Sequence, residues 1–298
     1  MEDNETGFNL ETPKVGIIRG VLAKDIEIVG EKVVNLRICA RPYRNTYSVA
    51  QLRTIKDVIE KYGSGKVHMS PRHNLEVPEV KQKELDNALK DLYIAGLFPG
   101  GAGTSVRNIF TCPDWCSKSL RPVQEIGMMV STNFGDKDMH NKVTISFAGC
   151  YNSCSRPHNS DIGIIAIGRV EELPGKKCPE DCLDCIKSCS FEAIEKVDGD
   201  IRINEKCIYC CKCVEACGHN KLKVTETGFK VLIGGREGSK VVFGTTYADF
   251  VNEFEVLEIV DRALSNYESK ARLKPGDRKK KERLGDVANR LGLESFMT

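Results

Sequence analysis

Cysteine is the residue type that points most directly to chemistry in this sequence. The chain has 298 residues and 14 cysteines. They form one single cysteine, two pairs and a dense group of nine: Cys39, Cys112 with Cys116, Cys150 with Cys154, and the nine from Cys178 to Cys217. In a reducing compartment, thiols grouped in this way indicate metal or redox chemistry rather than a disulfide framework.

The dense group contains the most specific motif in the chain. One run has the bacterial ferredoxin spacing C-x2-C-x2-C-x3-C, and a second run has one extra residue after its first cysteine. Because the fourth cysteine of each such run ligates the other run's cluster, we predict two [4Fe–4S] clusters with exchanged ligands. The predicted ligand sets are Cys178, Cys182, Cys185 and Cys217 for one cluster, and Cys189, Cys207, Cys210 and Cys213 for the other. A pair of zinc sites is the alternative, although zinc prefers separated C-x2-C pairs or includes histidine.

The cysteines that are not predicted ferredoxin ligands have a spacing that does not by itself decide their chemistry. Cys211 lies inside the second run but off the ligand spacing, so we interpret it as a spare thiol. The two remaining pairs, Cys112 with Cys116 and Cys150 with Cys154, provide four thiolates. Four thiolates can hold a third [4Fe–4S] cluster or a zinc ion.

Bulk composition limits the class of protein. Apolar residues make up 41% of the chain and charged residues 29%, and the net charge is +2, which indicates a soluble globular protein with no reason to bind nucleic acid. No apolar run approaches the ~20 residues of a membrane helix, and the polar N-terminus does not resemble a signal peptide. We therefore expect a cytoplasmic protein that does not enter a membrane. The glycine-rich stretches lack the strand and helix context of a nicotinamide or flavin site.

Hydrophobic periodicity predicts the elements that position these cysteines. Strands are predicted at 15–21, 33–38, 67–69, 143–147, 162–167 and 229–233, and helices at 48–63, 84–97, 256–267 and 286–293. The order indicates an α+β fold. Residues 173–225 are short of long helices and rich in cysteine, so they are predicted to be an insertion into a larger domain.

Several motifs together resemble one known family. "RNIFTCPDWC" followed by "AGCYNSCSRPHNSDIGIIAIG" is similar to the siroheme and cluster motif of the sulfite and nitrite reductase superfamily, and "KYGSGKVHMSPRHNLEVPEV", "VLIGGREGSK" and "ERLGDVANRLGLESF" resemble other family segments. The resemblance implies a ferredoxin-like half domain at 1–98, a siroheme and [4Fe–4S] binding domain at 99–172 and 226–298, and an inserted two-cluster ferredoxin domain at 173–225. This arrangement is similar to the small anaerobic or dissimilatory-type sulfite reductases.

The resemblance also implies cofactor ligands. Cys112, Cys116, Cys150 and Cys154 match the ligands of the family's cluster, and Cys154 matches the one that also ligates the siroheme iron. The eight carboxylates of siroheme require cations and N–H donors. The expected suppliers are Arg107, Arg156 and the turn formed by Gly234, Gly235 and Arg236. The implied cofactors are siroheme and three [4Fe–4S] clusters.

The substrate side of the family's site uses positive charge, because sulfite is an anion whose reduction needs protons. Arg72 matches one family arginine, Arg37 or Arg41 is expected to supply another, and Lys142 matches the first of a Lys-x-Lys pair. Two departures stand out. The second lysine position is Thr144, and the first cysteine pair is separated by three residues where the family usually has five.

Two histidines near Arg72 are candidate proton relays. His68 and His73 lie within five residues of it on either side, and a purely structural role is the stronger interpretation for both.

The function implied by the resemblance is reduction of sulfite to sulfide, or of nitrite to ammonia. Electrons are expected to enter through the ferredoxin domain from an external ferredoxin or a reductase subunit. A chain with a single half domain is expected to form a homo-oligomer or to be a subunit of a complex. The alternatives are an electron-transfer protein on the same scaffold without siroheme, and a siroheme enzyme for another oxyanion or sulfur substrate.

Overall fold

The computed structural model describes residues 21–40, 45–71, 73–176, 178–197, 200–273 and 281–298. The chain forms two compact units. The described part of the first unit covers 21–39, 48–70 and 74–102, and that of the second covers the other described residues, which lie mostly after 102. Within the described residues, no helix combines the length and the apolar character needed to cross a membrane.

The first unit is a five-stranded sheet with two helices. The sheet order is β1-β2-β4-β3, with β5 also paired to β2, and β2 is antiparallel to β1 and β4. The elements are β1 (Val21–Ile28), β2 (Glu31–Ala40), α1 (Val49–Tyr62), β3 (His68–Met69), β4 (Leu75–Lys81), α2 (Leu85–Ile94) and β5 (Leu97–Pro99).

Helix α1 shows how local sequence sets an element in this unit. Ser48 and Gln51 form a reciprocal capping box, and the N–H of Gly63 ends the helix on the carbonyl of Ile59. Such a cap stabilises a helix by about 1 kcal/mol. The helix predicted at 48–63 is therefore confirmed.

The second unit is built on a mixed sheet of order β12-β11-β8-β7-β6. β6, β7 and β8 are parallel neighbours, whereas β11 is antiparallel to β8 and β12. The strands are β6 (Val106–Thr111), β7 (Val143–Ala148), β8 (Ile162–Glu172), β11 (Leu222–Ile233) and β12 (Thr245–Val251). The predicted strands at 143–147, 162–167 and 229–233 are confirmed, and the last two are longer than predicted.

One face of this sheet carries the main core. Its fully buried side chains include Ile145, Phe147 and Ile164 from the strands, together with Val260 and Leu264 from a helix. The helices of the unit outside the cysteine-dense segment are α3 (Gln124–Phe134), α6 (Glu253–Lys270), α7 (Leu284–Leu291) and α8 (Leu293–Met297). Asn108 and Phe110 lie on the opposite face of the sheet and do not belong to this core.

The cysteine-dense segment adds a small sheet and two short helices. β9 (Ile194–Val197) and β10 (Asp200–Ile203) form an antiparallel hairpin, and the helices are α4 (Asp184–Lys187) and α5 (Lys212–Ala216). The segment packs on the end of β8, where the buried thiol of Cys211 donates to the carbonyl oxygen of Gly168 at 3.3 Å. A side chain at Gly168 would collide with that sulfur.

Gly163 in β8 is required by close packing of backbone. A Cβ there would collide with the carbonyl oxygen of Pro157, whose turn lies against the strand. We expect Gly163→Ala to lower the free energy of unfolding by about 1–3 kcal/mol, because neither backbone segment can move away freely. The fall in thermal midpoint measures it. Gly218→Ala is the control, since a Cβ at that position meets nothing within 4 Å. Equal midpoints for the two variants would contradict the prediction.

Candidate functional site

The two cysteine pairs outside the dense segment meet at the carboxyl ends of two parallel strands. Cys112 directly follows β6, and Cys150 follows β7 after one glycine. The N–H of Cys112 donates to the carbonyl of Phe147 at 3.1 Å, which joins the two strand ends. Carboxyl ends of adjacent parallel strands lie at one edge of a sheet, a common place for ligand sites.

The electrostatics of Cys150 show that all four thiols are neighbours. Burial raises the pKa of Cys150, and the charges of Cys112, Cys116 and Cys154 raise it further, against a backbone hydrogen bond that lowers it. Cys112 is buried, Cys116 and Cys150 are half-buried, and Cys154 is exposed. Mutually repelling thiols of this kind are stabilised as thiolates when a positively charged iron centre binds them. The four-cysteine group therefore suits a [4Fe–4S] cluster, and Cys154 is its most accessible sulfur.

The loop between Cys112 and Cys116 is ordered by a residue that the sequence reasoning missed. Asp114 accepts hydrogen bonds from the N–H groups of Val123 and Gln124 at 2.9 and 3.0 Å, at the start of α3. A carboxylate is favourable at a helix N-terminus. The signal was present as an aspartate between two cysteines, but α3 itself was not predicted.

A cavity of about 340 Å³ lies in the second unit on the sheet face opposite the core. Its lining combines strand residues, a turn and loops: Pro71, Asn108, Phe110, Lys142, Thr144, Arg156, Asn159, Ser160, Glu237, Gly238 and Arg283. Lys142 and Arg156, both predicted site residues, are thus brought to one cavity, and so is Thr144. Three cations and one carboxylate line the space, so it suits an anionic ligand.

Arg156 is held in place at the cavity wall. Its guanidinium donates to the carboxylate of Glu237 at 3.3 Å and to the carbonyl oxygen of Pro71 at 3.1 Å. His73 lies beside it, with its ring 5.1 Å from that of Phe110. Burial and the charge of Arg156 lower the pKa of His73, so the imidazole is neutral at pH 7. A role for this histidine as a proton relay stays a prediction.

Two buried polar atoms of this cavity were not found from the sequence. Oδ1 of Asn108 and Nε of Arg283 are buried and have no hydrogen-bond partner among the described residues. Orphaned buried polar atoms are rare and costly. Nothing in the spacing of these residues, which are 175 positions apart by number, pointed to a shared wall.

The other predicted site residues have different surroundings. Arg37, in the first unit, is buried, pairs with Glu76 at 2.7 Å and donates to the carbonyl of Gly101. Arg236 pairs with Asp286 at 3.0 Å. Arg107 lies at the register shift of β6 against β7, where the strand bulges.

The Gly234–Gly235 turn is explained by packing. A Cβ on Gly235 would collide with the carbonyl oxygen of Ser160, and the backbone of Gly234 lies against Gly285. A cofactor role for these glycines stays a prediction. Arg41 and Arg72 lie outside the described residues, as does most of the strand predicted at 15–21.

In the dense segment, cysteines of each predicted ligand set influence one another's pKa. Burial raises the pKa of Cys185, with further raising by Cys217, Cys178 and Cys182. In the other set, burial raises the pKa of Cys207, and Cys210 and Cys189 add to the effect. Cys189, Cys207, Cys210 and Cys213 also line one small pocket. Among the described residues, no three His, Cys, Asp or Glu side chains are arranged to hold a single metal ion.

Comparison with known families decides the assignment. Residues 102–298 match the family model described as the nitrite and sulphite reductase 4Fe-4S domain. The chain belongs to this family. Residues 32–93 match the model of the nitrite/sulfite reductase ferredoxin-like half domain. The superfamily resemblance drawn from the motifs is thereby confirmed.

Individual relatives agree with the family. The chain is 28% identical over 266 residues to the coenzyme F420-dependent sulfite reductase of Methanocaldococcus jannaschii, covering 88% of this chain and 41% of the relative. It is 25% identical over 303 residues to the dissimilatory-type sulfite reductase subunit beta of Nitratidesulfovibrio vulgaris, covering 90% of this chain and 77% of that subunit. The chain therefore spans about two fifths of the first relative's length.

A solved structure supports the fold. The crystal structure of dissimilatory sulfite reductase I matches with a TM-score of 0.70 at 16% identity, over 92% of this chain and 74% of that one. The expected mixed fold of the sulfite reductase type is confirmed. The inserted two-cluster ferredoxin domain stays a prediction.

Proposed function

We propose that this chain is a siroheme and iron–sulfur oxidoreductase that reduces sulfite to sulfide, or nitrite to ammonia. The observation that carries the proposal is the convergence on β6 and β7 of four cysteines at the strand ends and a cationic cavity on one face. Family membership and relatives named sulfite reductases support it.

The residues present fit the implied cofactors. Cys112, Cys116, Cys150 and Cys154 would hold a [4Fe–4S] cluster, and the exposed thiolate of Cys154 would also ligate siroheme. Siroheme, when bound, would supply an iron with an open coordination position for the oxyanion. Asn108 and Arg283, which line the cavity, each carry a buried polar atom without a hydrogen-bond partner among the described residues, which supports a polar ligand there.

The chain's own residues would bind and orient the anion. Lys142 and Arg156 bring positive charge to the cavity, which attracts an anion such as sulfite or nitrite. Glu237 holds the Arg156 guanidinium, so Arg156 is oriented before a ligand arrives. This arrangement also favours retention of an anionic tetrapyrrole.

Electrons would enter through the dense segment, which contacts the four-cysteine site. Lys118 forms an ion pair with Glu215 of α5 at 2.6 Å. Glu215 is the main cause of the raised pKa of Lys118, and the charges of Cys150 and Cys116 raise it further. Tyr151 lies on the same side: burial raises its pKa to about 12, and Asp249, Cys210 and Cys207 contribute to the rise. These contacts support an electron path from the segment to the four-cysteine site.

The electron donor and the assembly are part of the proposal. An external ferredoxin or a reductase subunit would supply electrons, since no nicotinamide or flavin motif was found in the sequence. The named relatives include subunits of sulfite reductases, which supports a subunit of a complex or a homo-oligomer. A monomeric mass at micromolar concentration, measured by light scattering on the isolated chain, would count against the homo-oligomer.

An absorption spectrum and an activity assay test the function. Protein purified without oxygen from cells supplied with siroheme is expected to show siroheme bands on top of broad iron–sulfur absorption, and to reduce sulfite with reduced viologen. Iron–sulfur absorption alone would favour the electron-transfer alternative, which the threonine at position 144 also favours. Siroheme bands without sulfite or nitrite turnover would favour another oxyanion or sulfur substrate.

A further inference from the structure

Arg283 is a buried cation that the predicted site does not use. It precedes α7, its side chain is 10% exposed, and it lines the same cavity as Lys142 and Arg156. Its Nη2 donates to both carboxylate oxygens of Asp161 at 3.0 Å. The carboxylate therefore accepts from Nη2, which is only one of the three guanidinium nitrogens.

Asp161 fixes Arg283 next to position 144. The carboxylate is 1% exposed, and its Oδ2 also accepts the N–H of Thr144 at 2.9 Å. Burial raises the pKa of Asp161, while Arg283, the N–H of Thr144 and the charge of Lys142 act to lower it. Lys142 and Arg283 thus both act on one carboxylate, which places the two cations close together.

One nitrogen of the guanidinium still lacks a partner. Nε of Arg283 is buried and has none within the described part of the chain, and Oδ1 of Asn108 on the same cavity has none either. A buried N–H without a hydrogen-bond partner costs more free energy when it belongs to a charged group than when it belongs to a neutral group. An oxyanion in the cavity would accept hydrogen bonds from the guanidinium of Arg283, and the carboxamide of Asn108 offers a donor when its oxygen and nitrogen are exchanged.

We infer that Arg283, held by Asp161, binds an oxyanion in this cavity beside Lys142 and takes the place of a cation at position 144. The inference rests on the proposed function for the identity of the oxyanion. Two sources share this chemistry: the substrate anion, for which sulfite is the probe, and a carboxylate of the tetrapyrrole.

The test compares Arg283→Gln with wild type in two measurements. Calorimetry with sulfite gives the dissociation constant, and absorbance gives bound tetrapyrrole per chain. Loss of one charged hydrogen bond predicts about a 10- to 100-fold weaker dissociation constant at constant tetrapyrrole if the substrate is the ligand. A comparable loss of tetrapyrrole identifies the cofactor carboxylate instead. Unchanged values in both measurements overturn the inference.

Matched variants separate binding from folding. Thr144→Lys in the Arg283→Gln background puts a cation back on the cavity wall, so it is expected to recover at least half of the lost binding. Asp161→Asn with Arg283→Gln keeps the buried site uncharged and is expected to bind as weakly as Arg283→Gln alone. Arg290→Gln removes an equal charge from α7, where Arg290 pairs with Glu282, and is expected to bind as wild type.

The inference and the proposed function fail in different ways. If wild-type protein holds no tetrapyrrole but binds sulfite, and Arg283→Gln loses this binding, the inference is supported and the proposed function is contradicted. If wild-type protein holds tetrapyrrole, and Arg283→Gln keeps both the tetrapyrrole and the sulfite affinity, only the inference is contradicted. Failure of Thr144→Lys to recover any binding also counts against it.

Discussion

Cys154→Ala is expected to lower bound iron from about thirteen atoms per chain, twelve in three clusters and one in siroheme, to about eight, and sulfite reduction by at least ~100-fold. The reason is that this thiolate would hold both the cluster and the siroheme, so its removal would take one ligand from each cofactor. The other two predicted clusters, held by the dense segment, are expected to remain. Iron analysis, the absorption spectrum and viologen-linked turnover measure these three effects on one preparation.

Cys39→Ser is the control for this substitution. Cys39 is buried in the first unit, where its thiol donates to Oδ1 of Asn74 at 3.0 Å, and a serine hydroxyl can make the same bond. Iron content and turnover should match wild type. A Cys154→Ala protein with the iron content of wild type and full turnover would contradict both the ligand assignment and the shared-thiolate hypothesis.

Asp161→Ala is expected to destabilise the second unit by about 3–5 kcal/mol, because it leaves the Arg283 guanidinium buried without its counter-ion. The carboxylate is 1% exposed and also accepts the N–H of Thr144, so a second buried donor is orphaned. For a unit of this size the thermal midpoint should fall by roughly 6–20 °C. Scanning calorimetry of preparations with equal iron content measures the shift.

The Asp161 prediction has an internal and an external control. Removing both partners, as Asp161→Ala with Arg283→Met, is expected to recover part of the loss because no unpaired buried charge remains. Glu215→Ala breaks the exposed pair with Lys118 and is expected to leave the midpoint nearly unchanged. A double variant no more stable than Asp161→Ala would show that the two residues are not coupled.

Helix α3 shows where sequence reasoning missed an element of the fold. Its sequence, QEIGMMVSTNF, contains a glycine, a serine and a threonine and so presents a weak apolar stripe. In the structure, Gly127 of this helix lies against the side chain of Thr111 on β6. The helix is stabilised by tertiary packing, which local propensity does not report.

The candidate site was predictable in parts. Lys142 and Arg156 were named from family motifs, because each lies within a few residues of a recognisable strand or cysteine, and the structure brings both to one cavity. Arg283, Asp161 and Asn108 lie within the quoted motifs but were not named, since a motif does not tell which of its polar side chains meet in the fold. Their interactions exist only after β6, β7 and α7 pack.

The sequence alone determined that the family is the nitrite and sulfite reductases, and its spacing predicts which cysteines of the dense segment share a cluster. Ligand spacing is a local property, so it can be read from the primary structure. The tertiary structure decided which side chains surround the cavity. The ion pair between Arg283 and Asp161 joins residues 122 positions apart, and a buried charge is matched to its partner only when folding excludes water from both.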